Sequence, residues 1–282
     1  MPDSRKYFGY TGESFSVQIF GQTIYLVLSE KDKTTIMSGH PGLDNTEHLR
    51  DLLKAFRTSP RGIDQTFQHP SPDISASGGI LPNSKQKPMA LLAEDIMGKQ
   101  LLQNARFDDL MSRVLDFIDI RTQFETIPSS AVLNASVDNN KTVSLMKWAQ
   151  YTMIEAVTVS WFGAAIWDLS STITTDMICL DGDIWKLLYQ FPRLWSRDVQ
   201  AALDRLHHCF LKYVRLHPSQ KADQSWAARV TEEQLRLRAL SDEDIAAQLM
   251  MVFWGYVYLL YDMTSMIFVG LTVVESMRIF SR

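Results

Sequence analysis

Hydrophobic and polar positions alternate near the start of the chain. In "SFSVQIFGQTIYLVLS" (Ser14 to Ser29), Phe15, Val17 and Ile19 are set apart by polar neighbours. The chain turns at Gly21-Gln22 and resumes with the β-branched and aromatic run Ile24, Tyr25, Leu26, Val27. A period of two puts successive side chains on opposite faces of a strand, so this stretch predicts a β-hairpin. "SEKDKTTIM" follows with a Ser cap and early charge and predicts a short helix. Residues 58–84 carry four prolines among Gly, Ser and Asp, and predict loop broken at most by short helical turns.

From Lys85 the period changes to that of a helix. Met89, Leu92, Ile96 and Leu101, and then Phe107, Leu110, Val114, Phe117 and Ile118, fall at three-and-four spacing around a polar break at Asn104, which predicts two helices. Val143 to Gly163 has a cap at Ser144, a nearly continuous apolar pattern and a terminal Gly, and predicts a mostly buried helix. Further helices are expected at 181–190, 195–215 and from 241, with the polar residues 218–230 as loop. No repeat or flexible linker divides the chain. The expected fold class is mainly α with a small N-terminal β-hairpin, in a single domain over 1–282. Its parts are a hairpin region at 1–30, a helical region at 85–255 and a divergent C-terminus at 256–282.

Composition narrows the function. A chain of 282 residues, 46% hydrophobic and 21% charged, can bury a sizeable core. A net charge of −4 with 28 scattered basic residues offers no footprint for a phosphate backbone, so nucleic acid is not an expected partner. Cys179 and Cys209 cannot form a disulfide framework in a chain this size, and the N-terminus shows no apolar signal region. An intracellular location is therefore expected, and the sequons at Asn134 and Asn140 carry little weight.

Phosphate-cradling loops and nucleophile elbows are absent: there is no G-x-x-x-x-G-K-[ST], G-x-G-x-x-G or G-x-S-x-G. His207, His208 and Cys209 are adjacent, and on a helix adjacent side chains diverge by about 100° and cannot converge on one metal ion. His40, His48, His69 and His217 lie in predicted loops or beside prolines and read as surface. Asp181 and Asp183, and the trio Asp242, Glu243 and Asp244, could be drawn as acid–base pairs. Ser241 followed by three acids also suits a helix N-terminus, for capping and for the dipole.

Several phrases, in order along residues 10–255, resemble the cytochrome P-450 family, in the fungal type related to sterol and prostanoid hydroxylases. They are "GQTIYLVLSEKD", "RGID" (Arg61 to Asp64), the helix from Lys85, "TVSLMKWAQYTMIEAVTVSWFG", "DGDIWKLLYQFPRLW" (Asp181 to Trp195) and "LSDEDIAAQLMMVFWG" (Leu240 to Gly255). The resemblance implies an incomplete P-450 fold lacking the haem-binding C-terminal part. In the family the cofactor is haem, the substrate a small hydrophobic molecule and the partner a reductase. It also implies a monooxygenase of fungal secondary metabolism associated with the endoplasmic reticulum, although no N-terminal anchor is seen here.

The family's loop F-x-x-G-x-x-x-C-x-G, which supplies the axial thiolate, has no counterpart around Cys179 or Cys209. Stable haem binding and oxygenation are accordingly not expected, and no catalytic residue and no metal site is assigned. A distal haem wall, if formed, falls at Phe253, Trp254 and Gly255. Asp262 and Thr264 are separated by Met263 and do not form the family's usual acid–Thr pair. Glu275 and Arg278 stand at E-x-x-R spacing and resemble the family's structural ion pair; the same spacing recurs at Glu47/Arg50 and Glu233/Arg236.

Leu249 to Val274 is long enough for the ~30 Å hydrocarbon layer, which needs about 20 residues. Asp262 at its middle would cost about 2.5–3.5 kcal/mol, and tyrosines at 256, 258 and 261 lie mid-span. A buried helix is the favoured expectation. The alternative is a non-enzymatic helical binding or tail-anchored protein that meets a membrane through this apolar end.

Overall fold

The computed structural model describes residues 14–19, 22–27, 29–37, 46–72, 81–83, 85–135 and 141–255. The chain is mainly helical, with a small two-stranded hairpin near the N-terminus. Strands β1 (Phe15–Ile19) and β2 (Gln22–Leu26) pair antiparallel, Phe15 opposite Leu26 and Val17 opposite Ile24. Phe15, Val17 and Ile24 are half-buried while Ser16, Gln18, Thr23 and Tyr25 are exposed, which is the two-faced pattern expected from the alternation. Gln22 is already in the strand. Helix α1 (Glu30–Met37) starts where Ser29 Oγ accepts the Asp32 N–H, as the Ser cap predicts.

Two helices follow, α2 (Thr46–Ala55) and α3 (Pro60–Phe67). The second is a full two-turn helix inside the stretch expected to be loop. Pro60 sits in its first turn, where the missing N–H has no helical partner to lose, and Ser59 caps it by accepting the Gly62 N–H. Counting proline only as a breaker hides this.

The helices α4 (Met89–Leu101) and α5 (Ala105–Thr122) divide at Asn104, whose side chain accepts from the N–H groups of Arg106 and Phe107. A second hairpin, β3 (Val132–Ala135) with β4 (Lys141–Val143), precedes α6 (Leu145–Phe162). It was not anticipated from the pattern, because its strands are too short to show a period. Ser144 caps α6 and Gly163, at φ 77°, ends it, as expected.

The rest comprises α7 (Ala165–Leu169), α8 (Ile173–Leu188), α9 (Arg197–Val214), α10 (Trp226–Leu237) and α11 (242–255). Helix α8 begins well before the expected Asp181. Helix α10 runs through the end of the region assigned to loop. Ser225 caps it, and Ala227, Val230, Gln234 and Leu235 form its buried face among polar residues.

One hydrophobic core extends from Phe56, just after α2, to Phe253 on α11, with α8 along α9, α5 against α6 and α10 against α4. Largest among its fully buried side chains are Tyr213, Phe56, Phe162, Phe210 and Phe253. Burying such aromatic side chains contributes about 2–3 kcal/mol each.

Candidate functional site

Helix α11 meets residues from three of the phrases quoted above. At its N-terminus the Asp244 carboxylate, 5% exposed, accepts the Ser59 N–H at 2.6 Å and the hydroxyls of Ser59 and Ser241 at 3.0 and 2.9 Å. Helix α3 is thereby clamped by its cap. Gly62, in "RGID", leaves the room: a Cβ there would lie 2.6 Å from Asp244 Cγ. Further along, Gln248 Nε2 donates to Thr66 Oγ1 at 2.7 Å, and that hydroxyl donates to the Gly62 carbonyl at 2.8 Å. Ser241 therefore caps α11, as expected, by accepting the Asp244 N–H, and the Asp244 carboxylate joins two helices distant in sequence.

The expected distal-wall residues occupy the next turns. Phe253 is 1% exposed and packs edge-on against Phe162 at 5.5 Å and tilted against Phe210 at 5.8 Å. Phe162 in turn meets the ring of Tyr213, whose hydroxyl donates to the Phe162 carbonyl at 2.9 Å. Trp254 lies 5.6 Å from Phe56, and its Nε1 donates to Asp181 on α8 at 3.2 Å. Around a Cβ built on Gly255, no described atom lies within 4 Å. Phe253 thus belongs to the protein's aromatic core, Trp254 ties α11 to α2 and α8, and Gly255 ends the described part of the helix.

The "WFG" end of α6 is held separately. The Asp223 carboxylate accepts the Ala164 N–H at 2.8 Å, and Ser225 N–H donates to the Trp161 carbonyl at 2.8 Å. A Cβ on Gly163 would lie 2.0 Å from Asp223 Oδ1, so both the positive φ and the close approach require glycine.

Both cysteines favour the neutral thiol in this structure, whereas an axial ligand binds iron as the thiolate. Cys209 is buried on α9, and burial pushes its thiol up to about 11. Cys179, half-buried on α8, is also raised, by burial first and then by the carboxylates of Asp198, Asp183 and Asp176. Beside Cys209, a cleft of about 330 Å³ is bordered by His208, Thr172 and Arg205. Arg205 is spent on Asp176, its Nη2 at 2.6 Å and its Nε at 3.1 Å from the carboxylate.

The histidines diverge as the helical spacing requires: His207 Nε2 donates to the Glu243 carbonyl at 3.1 Å, while His208 is exposed. Among the described residues no group of three or more His, Cys, Asp or Glu could hold a metal ion. His48, His69 and His217 are exposed.

The acids considered as acid–base pairs are engaged elsewhere. Asp183 pairs with Lys186 at 2.8 Å, Glu243 with Arg215 at 2.9 Å, and Asp242 with Arg215 and Arg236 at 3.3 and 3.1 Å. At the recurring E-x-x-R sites, Arg50 pairs with Asp64 and Arg236 with Glu232. His40, Asp262, Thr264, Glu275 and Arg278 lie outside the described residues.

Of the apolar run from Leu249, the described part is 249–255. Leu249, Met250 and Phe253 there are buried in protein, and no described helix is long and apolar enough to cross a membrane.

Pattern reading missed three groups: Asp223, the buried Lys221–Glu232 pair at 2.8 Å, and Arg238. Charged residues in polar segments give no local sign of burial. No protein-family model matches the chain, and no curated protein sequence matches it.

Proposed function

We propose that these residues form the helical, substrate-side part of a cytochrome P-450-like fold that furnishes no axial thiolate of its own, and so does not carry out haem-thiolate oxygenation by itself. The observation that carries this reading is the convergence on α11: "RGID" through Ser59 and Gly62, "SWFG" through Phe162, and "DGD" through Asp181 all meet the helix of "LSDEDIAAQLMMVFWG". The buried, high-pKa Cys209 and the carboxylate-flanked Cys179 supply the second half.

On this reading the chain retains the capacity to enclose a small hydrophobic molecule and to meet a reductase, without stably bound haem. The purified chain, mixed with ferric haem, reduced and treated with carbon monoxide, is expected to give no Soret band at the thiolate position. A thiolate-type band would remove the claim.

A further inference from the structure

Large apolar side chains are exposed together where α8 gives way to α9. Leu194 is 73% exposed, Trp195 61%, and Trp185, in the last turn of α8, 42%. Phe191 packs edge-on against Trp185, with ring centroids 4.9 Å apart. Single exposed leucines are ordinary on a protein surface, but two tryptophans and a leucine around one connection leave apolar area in water that a partner would cover.

The backbone of this connection holds the side chains out. Phe191 N–H donates to the Lys186 carbonyl at 2.8 Å and Gln190 N–H to the Leu187 carbonyl at 3.1 Å, with Gln190 at φ 52°, so α8 ends in a left-handed cap. A single 3-10 turn (Arg193–Trp195) follows, in which Trp195 N–H donates to the Pro192 carbonyl at 2.9 Å. Ser196 is fully buried, and its hydroxyl donates to the same carbonyl at 3.3 Å. Helices α8 and α9 lie along one another, so residues 190–195 form the tip of a helix pair. A tip fixed in this way gives up little conformational entropy when it docks.

Charge indicates what it docks on. From Trp185 to Arg197 there are three cations, Lys186, Arg193 and Arg197, and no acid, in a chain whose net charge is −4. Lys186 is held by Asp183 at 2.8 Å, and Asp198, the next acid along the chain, accepts the Val199 N–H at the start of α9. Arg193 and Arg197 are exposed and have no carboxylate partner among the described residues. Tryptophan and leucine beside unpaired arginines suit a bilayer surface, where rings and aliphatic groups enter the headgroup–acyl boundary and guanidinium groups meet phosphates. A protein-binding hot spot also uses Trp and Arg, but at the packed centre of a patch rather than on a tip.

We propose that the α8–α9 tip docks on an anionic lipid bilayer, with Leu194, Trp195 and Trp185 entering the headgroup–acyl boundary and Arg193 and Arg197 on the lipid phosphates. Such a contact is with one leaflet and needs no spanning helix. The inference does not depend on the proposed fold relationship.

The test is flotation of the full chain with vesicles of phosphatidylcholine and phosphatidylserine in equal parts, and with vesicles of phosphatidylcholine alone. Wild type is expected to float with the mixed vesicles, and to bind them about tenfold or more weaker once Leu194→Ser and Trp195→Ser are combined. Arg193→Gln with Arg197→Gln is expected to remove the preference for the mixed vesicles. All four residues are exposed, so these variants keep the fold, which circular dichroism checks. Binding to neither vesicle, equal binding to both by wild type, or binding indifferent to Leu194 and Trp195 would each overturn the proposal. Both variants leave residues 249–282 intact, so a membrane contact made there gives the indifferent outcome. A wild-type dimer in sedimentation velocity that the Leu194 and Trp195 variant dissolves would assign the tip to a second copy and overturn the proposal as well.

Discussion

Asp244 and Arg238 flank the turn between α10 and α11, both almost fully buried, and their surroundings treat them in opposite ways. The carboxylate is met by an amide and two hydroxyls, with a glycine cleared from its path. Among the described residues the guanidinium meets only neutral carbonyl and amide oxygens, and one of its nitrogens has no hydrogen-bond partner. A buried charge with a full set of partners holds structure together. One left short of partners is a cost that the rest of the fold offsets.

The comparison breaks most visibly at Asp244. Replacing it with Ala leaves the Ser59 N–H and two hydroxyls without their acceptor, and the expected loss is about 3 kcal/mol in urea unfolding, with Asp244→Asn recovering part. Gly62→Ala attacks the same contact from the other side. It forces a methyl onto the carboxylate and is expected to cost about 2 kcal/mol, with little added effect in an Asp244→Ala background.

Cys209 sharpens the contrast, since burial acts on it chiefly as it acts on Arg238. Its folded pKa of about 11 exceeds the ordinary 9.0. The neutral thiol therefore adds stability that is complete below pH 9 and is lost as pH rises through about 11. Wild type is expected to lose on the order of 2 kcal/mol across that window relative to Cys209→Ala, measured by unfolding at fixed pH values. The smallest effect belongs to Arg238. Arg238→Met is expected to shift stability by less than about 1 kcal/mol in either direction, because an apolar replacement removes a desolvated charge along with its bonds.

Much of the fold can be read locally. Ser29, Asn104 and Ser144 mark helix starts by side-chain hydrogen bonds that depend only on neighbours, and Gly163 ends α6 through its own φ. Pro60 misleads because the same residue that breaks a helix interior suits a first turn. Helix α10 escapes because Trp226 to Leu237 hides its buried Ala and Val among charged and amide side chains. The site is less legible than the fold. Nothing around Ser241 says that Asp244 reaches Ser59, and nothing around Arg238 says that its charge is buried, since both facts arise only when α3, α4, α10 and α11 are packed together.

The proposal that neither cysteine of this chain serves as an axial ligand is tested most directly by low-temperature electron paramagnetic resonance of the ferric haem adduct. Wild type is to be compared with Cys179→Ser and with Cys209→Ser. The expected result is the same spectrum in all three, without a thiolate signature. A thiolate signature in wild type that disappears in either variant would contradict the account.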